Sequence, residues 1–100
     1  MPNILGLAAI SLTDDAAAGF ASVPTGTTQA ILKCESNSVR LGDATSVPTA
    51  STGYLWSVGE TLAFVGNDYG DFLRNLNIIN ATAGSNGVIK GIFFNGFDRA

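Results

Sequence analysis

The stretch Pro24-Thr-Gly-Thr-Thr-Gln-Ala-Ile-Leu-Lys-Cys-Glu-Ser36, continued by Ser38-Val-Arg-Leu-Gly-Asp43 and by Pro48-Thr-Ala-Ser-Thr-Gly-Tyr-Leu-Trp-Ser-Val-Gly-Glu-Thr-Leu-Ala-Phe-Val-Gly66, decides the fold. Four short apolar runs stand between turn residues, and none has a helical period. That is the spacing of antiparallel strands in a small sandwich or barrel. Residues 28–36 alternate. Ala30, Leu32 and Cys34 share one side, and Gln29, Ile31, Lys33 and Glu35 share the other. A half-buried strand results, with Leu32 and Cys34 on its core face. Val39 and Leu41 then oppose Ser38 and Arg40. Residues 42–52 read as loop, and 54–58 and 61–65 as strands joined at Gly59-Glu60.

Working outward, residues 4–13 are apolar at nearly every position. This fits a strand covered on both faces or a short buried helix. The strand reading is preferred, although Asp14-Asp15 before three alanines could cap a helical turn. Residues 66–71 are a loop, and 74–81 a strand with Leu76 and Ile78 inward. Gly84-Ser-Asn-Gly87 reads as a hairpin, because Asn-Gly suits positive φ. Residues 88–94 close the sheet, with Ile89 and Phe93 facing the core. Val88, Ile92 and Phe94 fall on the face of Lys90, where nothing in one chain obviously covers them. The expected architecture is all-β: a single domain over residues 1–100, folded as a small antiparallel β-sandwich of jelly-roll or Greek-key type with seven to eight strands.

Composition narrows the function. One hundred residues form one domain with a modest core. Charged residues make up 13% of the chain, against about 25% in a typical soluble domain. So little charge suggests either a Ser/Thr/Asn-rich surface or one covered by a partner. The net charge is −3, and Lys33, Arg40, Arg74, Lys90 and Arg99 are scattered. No basic patch invites nucleic acid. The apolar run at residues 4–10 is too short to be read as a membrane span, and no signal peptide is visible.

The residues offer little chemistry. There is no histidine, which removes the commonest general base and most zinc sites. The one cysteine, Cys34, has no disulfide partner and reads as a small buried hydrophobe. Asn67, Asp68 and Asp71 could hold calcium through oxygen, but the spacing is not that of an EF-hand, and a solvated loop is expected. Glu35, Asp43 and Glu60 are the carboxylates a glycosidase would need, without a visible cleft. No enzymatic activity, metal or cofactor is expected. Asn80-Ala-Thr82 fits the glycosylation pattern by accident of composition. Arg40 either pins loop carbonyls with its planar fork or reaches a partner.

Pro24-x-Gly-Thr-x-x-Ala30, Glu35, Val39-Arg40, Pro48-Thr-Ala-Ser-x-Gly53, Gly59-Glu-x-Leu-x-Phe64, Leu73-Arg74 and Phe93-Phe94 occur in that order over nearly the whole chain. In this the chain resembles a family of small all-β proteins encoded among the structural genes of tailed bacteriophages, of the capsid-decorating or cement type. It departs at Leu41-Gly42, where the family often has an aromatic and a basic residue, and in a longer closing hairpin. The resemblance implies a virion component, made in the host cytoplasm, that binds the major capsid protein or another virion protein as a dimer or trimer. Val88, Ile92, Phe94 and Arg40 are the expected contact residues. The alternative is a tail, fibre or host-surface module stacking sugars on Tyr54, Trp56 and Tyr69.

Overall fold

The computed structural model describes residues 3–95; Arg99 lies outside them. Seven strands run β1 (Asn3–Ser11), β2 (Gln29–Ser36), β3 (Val39–Asp43), β4 (Tyr54–Trp56), β5 (Thr61–Phe64), β6 (Leu76–Asn80) and β7 (Val88–Asn95), with a short helix α1 (Gly70–Asn75) before β6. They form a four-stranded sheet in the order β1-β7-β2-β5 and a three-stranded sheet in the order β4-β3-β6. All pairings are antiparallel. The chain is therefore the small all-β sandwich its alternation predicts.

The pairings are nested. β1 joins β7, β2 joins β5 and β3 joins β4, while Ala18 and Ile78 exchange backbone hydrogen bonds of 2.9 and 2.8 Å. An antiparallel ribbon wrapped in this way is the jelly-roll arrangement. On the edge of β6 away from β3, the partner strand is reduced to the single bridge at Ala18.

The core lies between the sheets. Ala30, Leu32 and Cys34 of β2 meet Val39, Trp56, Leu76 and Ile78 of the smaller sheet, all 0–1% exposed. Ala8 and Ile10 add the inner side of β1, with Leu12 just beyond its end, and Ile89 and Phe93 that of β7. Phe20, from the loop after Ala18, stands edge-on to Phe93 with ring centroids 4.9 Å apart. Aromatic pairs favour that geometry.

Three expectations are corrected. Gly84–Gly87 is not a hairpin, because β6 and β7 belong to different sheets. The positive φ falls on Gly84, at +81°. Gly87 is needed for space, since a Cβ there would run into Cγ1 of the buried Val39. The start of the expected 74–81 strand is helix, begun where the Asp68 carboxylate accepts the Gly70 N–H at 2.8 Å. Finally, β1 is covered on one face only. Leu7 is 83% and Ile4 66% exposed. A register shift between Ile4 and Gly6 puts both on the outer side, as a bulge does by changing the parity of the strand.

Candidate interaction face

Direct pairing in antiparallel sheets puts opposed residues on the same face. On the outer face of the larger sheet, Leu7, Ile92, Ile31 and Ala63 form one row across β1, β7, β2 and β5. Leu7 is exposed, Ile31 is 38% exposed and Ile92 half-buried. The next row is Ala9, Lys90, Lys33 and Thr61. Lys33 and Lys90 are thus direct neighbours of like charge, which costs stability unless something neutralises them. Arg74 and Asp71, 3.9 Å apart, are the one ion pair among the described residues, so neither lysine has an acid at that range among those residues. A shallow groove runs between the rows, bounded by Ile31, Lys33, Glu35, Thr61, Lys90 and Ile92.

This face overlaps the expected contact set without matching it. Ile92 lies in it, and Val88 is half-buried at the far end of β7. Phe94 is only 3% exposed, so it is no open contact residue. Gln29, which opposes Phe94 on β2, is fully buried too. The outer side is therefore covered at Phe94 and Gln29 and bare around Ile31, Leu7 and Ile4. Nor does β1 fold over this face; it lies beside β7 in the sheet. Leu7 and Ile31, exposed on this face, were not among the expected residues. Their signal was an apolar side chain on the same parity as Ala9 and Lys33.

Arg40 is occupied. Its Nε donates to the Ala50 carbonyl at 3.0 Å and its Nη1 to that of Gly53 at 3.1 Å, fastening the 48–53 loop to β3. The loop closes on itself through Thr49 and Thr52, whose hydroxyls are 2.6 Å apart.

The aromatic residues are mostly structural. Trp56 is fully buried and donates Nε1–H to the Glu60 carbonyl at 2.9 Å. Tyr69 packs with Phe64 and Phe72, centroids 5.7 and 6.3 Å away. Only Tyr54 of the three candidate stacking residues is exposed, and its hydroxyl donates to the Glu60 carboxylate at 3.2 Å. That bond, before the charge itself, raises the Tyr54 phenol above its ordinary value.

The other polar candidates are used locally. Asp43 accepts the N–H groups of Thr45 and Ser46 at 2.9 and 2.6 Å. Among the described residues no three acidic or thiol side chains gather to hold a metal. Asn80 is 1% exposed and bonded on both amide atoms, so in the folded chain its side chain is closed to modification.

Cys34 is fully buried and its Sγ–H donates to the Asn37 carbonyl at 3.1 Å. Burial, and then the Glu60 charge, push the thiol above its ordinary value of 9.0. The protonated thiol's contribution to stability is complete below about pH 9 and falls as pH rises beyond it. Thiol reagents are expected to label Cys34 slowly in the native protein and fast in denaturant. Fast native labelling at pH 8, followed by mass spectrometry, would contradict the packing.

Comparison with protein-family models, with curated proteins and with solved structures finds no match to this chain.

Proposed function

We propose that this chain is a structural component of a tailed-phage particle, seated on the capsid shell as a cement or decoration protein. The supporting observation is the Leu7–Ile92–Ile31 row, apolar and open to solvent on an otherwise regular sheet face. Exposed apolar rows bordered by polar residues mark association surfaces. The flanking Lys33 and Lys90 favour a partner surface that is apolar with acidic side chains beside it. Jelly rolls serve in viral capsids, and also in lectins and cupins, so the architecture permits this role without assigning it. Burial of Trp56, and the packing of half-buried Tyr69 against Phe64 and Phe72, weigh against the sugar-stacking alternative.

Such a protein would act by mass action. Binding the assembled shell and not its parts shifts the balance toward assembly. An interface of about 1,200–2,000 Å² in total would hold it without covalent links. Ile31→Asp is expected to leave the isolated chain folded at a cost of about 1–2 kcal/mol, since Ile31 is 38% exposed on an interior strand and aspartate is a poor strand residue. Its co-sedimentation with undecorated phage shells should fall at least about tenfold. Equal co-sedimentation of Ile31→Asp and the parent chain would rule out this face as the shell contact.

A further inference from the structure

Four strands stand at sheet edges: β1 and β5 in the larger sheet, β4 and β6 in the smaller. Proteins guard their edges, because unpaired N–H and C=O groups recruit other strands. β5 has four residues and β4 three, while β6 carries the Ala18 bridge at Ile78. β1 is nine residues long and contains no charge and no proline. It is the one long unguarded edge among the described residues.

The direction of its backbone groups follows from register. The Leu12 N–H donates to the Gly87 carbonyl at 3.0 Å, continuing the pairing that matches Ser11 with Val88 and Gly6 with Phe93. Hydrogen-bonded and non-bonded pairs alternate in an antiparallel ladder. Gly6, Ala8 and Ile10 therefore bond to β7, and Leu7, Ala9 and Ser11 turn their N–H and C=O groups away from the sheet. All three are exposed.

We propose that β1 pairs, antiparallel and across a two-fold axis, with β1 of a second copy, so that the two larger sheets become one. The occupant is argued from three features. The chain carries a net charge of −3, so copies repel in general, yet β1 brings no charge to the contact. A two-fold centred on Ala8 sets Leu7 opposite Ala9 of the second copy, large beside small, with the outward groups of both strands in register. The irregularity at Leu5 ends the match on one side and so discourages slippage. Pairing of β1 with β5 of another copy would have only four residues to work with and would grow into a filament, whereas the two-fold closes. The paired strands also bring the two apolar rows ending in Leu7 side by side.

This inference does not depend on the phage reading, since it concerns the isolated chain. Sedimentation velocity over a range of micromolar concentrations is expected to show a monomer–dimer equilibrium. Amide exchange at Leu7, Ala9 and Ser11 should slow as dimer accumulates. Ala9→Pro removes an outward N–H that β7 does not use, as edge prolines do. It should leave the monomer folded and raise the dimer dissociation constant at least about tenfold. Ala9→Lys supplies the missing edge charge without touching the backbone, and should act in the same direction if proline disturbs the fold. A monomer at every concentration would overturn the proposal and leave the edge to a strand of another protein. So would a dimer whose stability ignores both variants, or in which the three amides stay unprotected. Loss of the dimer with shell binding intact would leave the functional reading standing, and the reverse result would separate them the other way.

Discussion

Asn80→Ala is expected to cost about 3 kcal/mol of folding free energy, at about 1 kcal/mol for each of the two amide hydrogens, shared among three acceptors, and for the carbonyl. Asn80 Nδ2 lies 3.1 Å from the Asp14 carbonyl, 2.9 Å from Asp15 Oδ1 and 2.9 Å from Asn86 Oδ1. Its Oδ1 accepts the buried Gly87 N–H at 2.9 Å. One side chain thus ties the loop after β1 and the crossover into β7 to the end of β6. Truncation leaves the Gly87 N–H without its acceptor at the point where the chain passes between sheets. In a domain of this size 1 kcal/mol moves the melting temperature by about 4–8 °C, so calorimetry reads the effect directly. A change below about 1 kcal/mol would mean that water replaces the amide.

The same cluster adds a pH dependence. The Gly84 N–H, and second the Asn80 amide, hold the Asp15 carboxyl below its ordinary value of 3.8. A depressed carboxyl contributes stability above its unfolded value, and that contribution is lost as pH falls through the folded one. Asn80→Ala removes the lesser of the two donors. The acid limb of its stability curve should therefore become shallower without vanishing.

Trp56→Ala is expected to cost about 3–5 kcal/mol, the range for deleting a large buried aromatic side chain. Trp56 is fully buried beneath the β4–β5 turn. The Glu60 carbonyl it bonds also accepts the Cys34 N–H at 3.1 Å, linking the two sheets. Trp56→Phe keeps much of the packing and gives up the N–H bond, for about 1 kcal/mol. Circular dichroism through a denaturant titration separates the two variants. The tryptophan is the only one in the chain, so its emission in the parent protein should be that of a buried indole, unmoved by added saccharides. A saccharide-dependent shift would revive the sugar-binding alternative and contradict the burial.

The strands were legible because period-two alternation is a direct consequence of burying one face. Leu32 and Cys34 were read inward for that reason and are buried. Alternation assigns a side but cannot say what lies over that side. It placed Phe94 and Gln29 outward, and both are buried, whereas the uniformly apolar β1 read as covered twice and is bare on one face. Gly84–Gly87 misled for a related reason. The same glycines serve a tight hairpin and a crossover that lacks room for a Cβ, and only the three-dimensional path distinguishes them. The helix at Gly70–Asn75 spans six residues, too few for its period to stand out from the strand that follows. The apolar row was hidden because Leu7, Ile92 and Ile31 come from three distant parts of the chain and meet only through strand register.

The nesting of the strand pairs also sets a timetable for folding. The outermost pair joins Ser11 to Val88 and Asn3 to Asn95, so β1 has no partner until almost the whole chain has been synthesised. Chains dominated by contacts distant in sequence fold slowly, in milliseconds to seconds, because a large loop must close before its contacts stabilise anything. During translation the uncharged nine-residue strand emerges long before its partner β7 and is among the last to be paired. It spends that interval as a sticky ribbon in a crowded cell. Yield of soluble protein should accordingly depend on chaperone capacity and growth temperature more than on the stability of the finished fold.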